Sequence, residues 1–331
     1  MYNHTYTIRL FEALGKKGLS VDYITKCCTY SEMLLDKKVP VIFDNHHLYK
    51  ILEFEGVQWN AYHVFYISKR DGEQRTITSP SKKIKYRQLW ILKNILNQIE
   101  ISNKVHGFAK GRSIVTNAKE HVNKECILNI DIKDFFPSIN HEKVLDIFRK
   151  IGYTTEVSRT MADICCFEGS LPQGAPTSPY LANLVFSIVD EEICTLIREK
   201  EVSYTRYADD LTFSSHNDLA ELKEQVYQIL YKHKFKPNID KTNIVYGKKR
   251  KIVTGLIVNK EIKVPKRFKR LLRQEIYYCK KLGVANHLQN INCNKVVNYK
   301  EHLYGKAYYI KMVENELGQK LLRDLDSIKW Y

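Results

Sequence analysis

Tyr207-Ala208-Asp209-Asp210 sets two carboxylates side by side between two short runs rich in aromatic and β-branched residues, Tyr204-Thr205-Arg206 and Leu211-Thr212-Phe213. Such runs bent at a short turn predict a β-hairpin with Asp209 and Asp210 at its tip. Adjacent like charges there oppose folding, and Arg206 is the only neighbour in sequence able to offset them. A divalent cation removes that cost, because hard ions such as Mg2+ take oxygen ligands. An acidic turn alone is commonplace, so the assignment depends on a third carboxylate. Asp131 provides it: it closes the apolar run Ile127-Leu128-Asn129-Ile130, 78 residues before Asp209. A charge at the end of a buried strand is expensive unless paired. If the two strands are neighbours, the three carboxylates can hold two Mg2+ about 4 Å apart, the geometry used for phosphoryl and nucleotidyl transfer.

Other segments have to position that centre and feed it. Tyr62–Ile67 and Arg75–Thr78 flank Asp71-Gly72 and predict a second hairpin, carrying Lys69, Arg70 and Arg75 where a triphosphate or a nucleic-acid backbone would be held. A glycine-bearing basic loop, residues 107–113, adds Arg112. Leu89, Leu92, Ile95, Leu96 and Ile99 recur at helical spacing and are expected to pack inward. Asn140 suits a helix N-cap ahead of Val144, Leu145 and Phe148, and another helix is expected near 161–167. The loop from Leu171 to Pro179 is small and constrained, fit to lie against a base pair. It feeds a long helix in which Thr177 or Ser178 is expected to cap the start, with Leu181, Leu184, Val185 and Ile188 facing the core. Residues 243–246 and 252–258 read as strands. Between Lys260 and Lys281 there are nine Lys or Arg against two Glu. Phe268, Leu271, Leu272 and Ile276 are expected on one face of a helix there, and Lys266, Arg270, Arg273, Tyr277 and Lys280 on the other, a backbone clamp for nucleic acid.

Composition agrees with a polyanionic partner. The 331 residues carry a formal net charge of +16, yet 44% are hydrophobic, so this is a folded protein with a basic surface. No apolar run nears the roughly 18 residues needed to span a bilayer, and the first residues lack a signal pattern. Eight cysteines without a C-x-x-C spacing suit reduced thiols in a cytoplasmic protein.

Taken in order, Asp131 with Phe136, Gln173-Gly174 and Tyr207-Ala208-Asp209-Asp210 resemble the palm motifs of reverse transcriptases. Asn117-Ala118-Lys119-Glu120-His121 and Val253-Thr254-Gly255 are similar to the N-A-x-x-H and V-T-G elements of bacterial retron reverse transcriptases. The resemblance covers about residues 60–260. It implies an α+β right-hand polymerase: an N-terminal helical extension (1–55), fingers (56–125), a palm of antiparallel sheet and helices (126–260), and a small basic helical thumb (261–331).

By the same resemblance Asp131, Asp209 and Asp210, with the Ile132 carbonyl, hold two Mg2+, for which Mn2+ can substitute. Lys69, Arg75, Arg112 and Asp134 meet the incoming deoxynucleoside triphosphate, Phe136 bars a ribose 2′-hydroxyl, and Gln173 and Gly174 line the nucleotide and template. Asn117, His121, Val253, Thr254 and Gly255 recognise the enzyme's own RNA; Lys266, Arg270 and Arg273 are expected to bind RNA from the charge pattern of their helix rather than from the resemblance. The implied activity is RNA-directed DNA synthesis on a structured noncoding RNA that is both template and primer, started from an internal 2′-hydroxyl. Its product is a branched RNA–DNA molecule (msDNA), and an effector protein joins the complex in anti-phage defence. With no RNase H domain expected, template removal falls to a host enzyme. Three alternatives stand beside this: an RNA-dependent RNA polymerase, a group II intron-like reverse transcriptase, and a non-catalytic RNA-binding subunit. Phe136 speaks against the first, because the position that would accept a bond from a 2′-hydroxyl carries a ring.

Overall fold

A computed structural model describes residues 2–53, 61–68, 72, 74–290 and 298–330. Three helices come first, α1 (Tyr2–Gly15), α2 (Val21–Asp36) and α3 (Asn45–Ile51), then strands β1 (Tyr62–Ser68) and β2 (Gln74–Pro80). Helix α4 (Lys82–Asn94), α5 (Ile114–Lys119), strand β3 (Cys126–Lys133), and helices α6 (His141–Ile151), α7 (Thr155–Cys165) and α8 (Ser178–Leu196) follow. The hairpin β4 (Ser203–Tyr207) and β5 (Asp210–Ser215) leads to α9 (Ala220–Lys232), β6 (Lys236–Tyr246), β7 (Ile252–Val253) and β8 (Leu256–Ile257). Four helices close the chain: α10 (Lys266–Leu282), α11 (Val284–Asn290), α12 (Tyr299–Val313) and α13 (Asn315–Asp326). No helix among the described residues is long and apolar enough to cross a membrane.

The chain passes between two compact units. The first gathers residues 1–109, 132–198 and 226–238. Its hairpin β1–β2 is antiparallel in the register Tyr62↔Pro80 to Ser68↔Gln74. The core of this unit holds Phe135, Phe186 and Phe235, with ring centroids 4.9 to 6.1 Å apart. Burying each such ring stabilises by about 1.5–3 kcal/mol. Asn140 caps α6 as its type suggests, accepting from the Lys143 amide, and Val144, Leu145 and Phe148 are buried.

Several sequence expectations are corrected in this unit. On α4 the inward face is Ile84, Gln88 and Ile91, while Leu89 is exposed. Buried Gln88 is satisfied by donating to Tyr62 Oη and the Ile164 carbonyl, which an apolarity count overlooks. Helix α7 begins six residues before the expected Met161 because Thr154 caps it, accepting from the Val157 amide. Neither Thr177 nor Ser178 caps α8; the Ser178 hydroxyl instead donates to the Pro172 carbonyl and ties down the preceding loop. Ile188 is exposed, since Leu181, Val185, Val189 and Ile193 already fill the buried stripe.

The second unit gathers residues 110–131, 199–225 and 239–331. Its sheet runs β4-β5-β3-β6, with β5 antiparallel to both neighbours. Tyr204 and Phe213 are register partners and their rings stack at 4.8 Å, a cross-strand contact of the kind that fixes pairing. A core of Ile127, Val253, Leu256, Leu272, Ile276, Leu303, Leu321 and Leu325 joins the sheet to the C-terminal helices. On α10 the buried stripe is Leu272, Ile276 and Cys279; Leu271 lies exposed, one 100° step round the helix from Leu272. Residues 252–258 form a tight hairpin rather than one strand, because Thr254 (φ +45°) and Gly255 (φ +82°) both turn left-handed.

Candidate active site

The decisive geometry is a register. Strands β3 and β5 pair antiparallel from Cys126↔Ser215 to Asp131↔Asp210. Residues opposite one another in such a ladder have Cα atoms about 4.5–5.5 Å apart, so Asp131 stands across from Asp210 at the end of the sheet. Asp209 precedes Asp210 in the two-residue link from Tyr207, whose own register partner is Asp210. Three aspartates therefore stand at one sheet end.

The turn that presents them is strained and braced. Ala208 takes φ +57°, a left-handed value unfavourable for a residue with a Cβ. Beneath it Arg206 is fully buried, and its guanidinium donates to the Ala208 carbonyl at 3.1 Å. The sequence suggested Arg206 as the neutraliser of the aspartates; the structure assigns it the turn's own backbone. Sequence reasoning missed the cation that does face them. Lys241 of β6 places its ammonium 3.4 Å from Asp131 Oδ1. No sequence signal marked it: the run read as a strand began at Asn243, and β6 is brought beside β3 by sheet order alone.

Electrostatics show what the cluster lacks. Asp210 keeps solvent exposure at the tip, yet the protein crowding its carboxyl, then Asp209, then Asp131, push its pKa up to about 7 against a lowering contribution from Lys241. A carboxyl whose proton affinity is raised by two neighbouring acids belongs to a donor set short of positive charge, and an all-oxygen set suits Mg2+. Among the described residues no group of three His, Cys, Asp or Glu side chains is placed to hold a metal ion as it stands.

Two of the strands are pinned from below. His121 is fully buried, with Nδ1 2.7 Å from Ser214 Oγ on β5 and Nε2 2.7 Å from Thr205 Oγ1 on β4. Asn117, also fully buried, donates from Nδ2 to Thr254 Oγ1 (3.4 Å), and the Thr254 hydroxyl donates to the Ile114 carbonyl. Asn117, His121 and Val253, which the resemblance assigns to RNA recognition, thus have buried side chains, Val253 lying in the core. Their side chains hold the hairpins β4–β5 and β7–β8, while Gly255 at the β7–β8 turn is exposed.

In the first unit, the Gln173-Gly174 loop is fastened to β2: the Thr78 amide donates to the Gln173 carbonyl at 2.8 Å. Gly174 has φ +137°, and a Cβ there would lie 2.9 Å from the Thr78 carbonyl oxygen, so only glycine fits. Arg75 is exposed on the same strand. Phe136 is half-buried, its ring centroid 5.6 Å from Phe135 and 6.5 Å from Phe108. Asp134 takes φ +50° and its carbonyl accepts from the Ser138 amide. Arg112 belongs to the second unit with the carboxylates; Lys69 lies outside the described residues. On α10, Lys266, Arg270 and Arg273 are exposed on the face opposite the core.

The family described as "Reverse transcriptase (RNA-dependent DNA polymerase)" matches residues 67–276. Retron Ec86 reverse transcriptase of Escherichia coli is 34% identical over 273 residues, 81% of this chain and 81% of its own length. The chain belongs to the retron reverse transcriptases.

Retron Mx162 reverse transcriptase of Myxococcus xanthus is 31% identical over 324 residues, 84% of this chain and 65% of that protein. Apo telomerase from Candida tropicalis has the same fold at 12% identity, with a TM-score of 0.53 over 88% of this chain and 60% of that one. This chain thus spans less than two thirds of the length of those last two proteins. The fold is the α+β right-hand polymerase expected from the motifs, and the activity is RNA-directed DNA synthesis.

Proposed function

We propose that this reverse transcriptase copies a structured noncoding RNA that serves it as both template and primer, extending from an internal 2′-hydroxyl to give a branched RNA–DNA product. The observation that carries the catalytic reading is the Asp131↔Asp210 register with Asp209 beside it. Asp131, Asp209 and Asp210, with the Ile132 carbonyl, would hold two Mg2+ or, as a substitute, Mn2+. When bound, those ions supply an acidified attacking hydroxyl and charge neutralisation at the triphosphate.

The chain's own residues do the positioning. Arg75 and Arg112, with Lys69, hold the triphosphate of the incoming deoxynucleotide, assisted by Asp134. Phe136 occupies the space a 2′-hydroxyl would need, and Gln173 with Gly174 forms the small, rigid surface beside the new base pair. Residues 56–125 act as fingers, 126–260 as palm and 261–331 as thumb, behind the helical extension 1–55. Lys266, Arg270 and Arg273 clamp the RNA backbone. Asn117 and Val253 serve recognition indirectly, by fixing the turn that exposes Gly255, while His121 braces the hairpin that carries Asp209 and Asp210. The setting is a cytoplasmic retron whose effector protein joins the complex in anti-phage defence.

Asp209→Ala with Asp210→Ala tests the core of this. DNA synthesis is expected to vanish while RNA copurifies as before; full synthesis in the variant refutes the catalytic assignment. Sequencing the nucleic acid that copurifies with the unaltered protein tests the rest, and a linear product without a 2′ branch refutes self-priming.

A further inference from the structure

The palm sheet has a second charged end. Near one end of β3, Lys241 of β6 faces Asp131 with its ammonium. Just past β6, the Gly247 amide donates to the carbonyl of Glu125, the residue before β3, at 2.9 Å. Six residues of extended chain separate the two points, about 20 Å at about 3.3 Å per residue. The exposed residues Lys248, Lys249 and Arg250 follow directly, with exposed Lys260 on the neighbouring segment.

This turn is braced from three sides. Asn259 brackets it, donating from Nδ2 to the Lys249 carbonyl (2.7 Å) and accepting at Oδ1 from the Lys251 amide (2.9 Å). The Val258 amide donates to the Lys251 carbonyl. Lys251 itself is 3% exposed, and its ammonium donates to the Gly247 carbonyl. A charge run that merely keeps a surface wet needs none of this.

The charges also differ from several lysines of the same unit that are already neutralised. Lys263, Lys269, Lys280 and Lys306 each face a carboxylate, on Glu261, Glu314, Asp324 and Glu275 respectively. Among the described residues no carboxylate pairs with Lys248, Lys249, Arg250 or Lys260. The nearby Asp218 is committed to the Tyr246 hydroxyl. Four cations fixed close together repel one another, and a polyanion relieves that repulsion while releasing its own counterions.

We propose that the Lys248–Arg250 turn, with Lys260, is a second RNA-backbone site, gripping the phosphates of a paired stem some 20 Å along the sheet from the carboxylates (about 3.3 Å per residue). Arg250 can fork onto one phosphate while the lysines act as point charges. The inference rests on the RNA-binding reading above and adds to it a function: one part of a folded RNA is anchored here while another part is copied.

The test uses the full-length protein and a fully paired synthetic RNA hairpin. Binding is measured between about 50 and 200 mM salt, a range over which each lost phosphate contact lowers the log–log slope by about 0.7–0.9. For Lys248→Gln/Lys249→Gln/Arg250→Gln the slope should fall in magnitude by about 2–3 and the affinity by about tenfold or more. Extension of oligo(dT) on poly(rA), at saturating primer-template, should keep its rate. Asn259→Ala, which frees the turn but keeps its charges, should weaken hairpin binding with the slope retained. An unchanged slope in the triple variant overturns the anchor. So does a slope that falls together with the extension rate, which would place these cations at the catalytic duplex. Failure of the unaltered protein to extend oligo(dT) would sink the polymerase reading instead, and leaves the slope comparison intact.

Discussion

His121 separates two ideas about how this enzyme is built, because the ring is either a reader of RNA or a bolt under the catalytic hairpin. The structure makes it a bolt: one imidazole spans Thr205 on β4 and Ser214 on β5, each at 2.7 Å, in a fully buried site. His121→Leu removes the bolt and strands two hydroxyls. A buried hydroxyl left without a partner costs about 1–3 kcal/mol, so two cost about 2–6, and the new apolar contacts offset part. A net loss of about 2–4 kcal/mol is expected, a large share of the stability of an ordinary domain. Urea unfolding reads it as a lower midpoint at constant slope. The triple variant His121→Leu/Thr205→Val/Ser214→Ala strands no polar group and should recover more than half of the loss, since replacing every partner of a hydrogen bond can be nearly neutral. RNA affinity per folded molecule should match the unaltered protein in both variants. A His121→Leu protein of normal stability that no longer binds RNA would refute the argument.

Four further outcomes follow from the same coordinates. The Asp210 carboxyl, with its pKa raised to about 7 in the metal-free protein, binds its proton more tightly folded than unfolded. Its contribution is therefore unfavourable at full strength above pH 7 and fades as the pH falls toward 4; Asp210→Asn should flatten that part of the stability–pH curve measured in EDTA. Lys241→Met removes an exposed ammonium 3.4 Å from Asp131, so metal-free stability should change by no more than about 1 kcal/mol. Mg2+ should bind it a few-fold more tightly as a competing cation is lost, and weaker binding in a thermal-shift titration would contradict this. Phe136→Val should raise ribonucleotide incorporation by about 10- to 100-fold in competition assays; unchanged sugar selection removes the gate assignment. Gly174→Ala drives a Cβ against the Thr78 carbonyl and should cost about 2 kcal/mol or more, with a higher KM for nucleotide.

How much of this was legible beforehand depends on the range of the interaction involved. Local signals were reliable: the Asn140 cap, the turn after Tyr207 and the apolar run of β3 are each set by neighbours a few residues apart. Helix faces were legible only approximately. Leu89, Ile188 and Leu271 have core-like types but lie exposed, because each helix needs only the stripe its neighbours can cover. Gln88 is the converse, a polar residue taken inside because Tyr62 and Ile164 satisfy it.

Sequence by itself determined the reaction class: three aspartates in motif order, and a glycine where a loop has to touch a strand. Tertiary structure alone decided which residues serve that chemistry from a distance. Lys241 reaches Asp131 across 110 residues of chain, and His121 joins strands more than 80 residues away. Those partnerships are created by sheet order and register, which bring distant segments within hydrogen-bonding range, and no local pattern of residue types encodes that order.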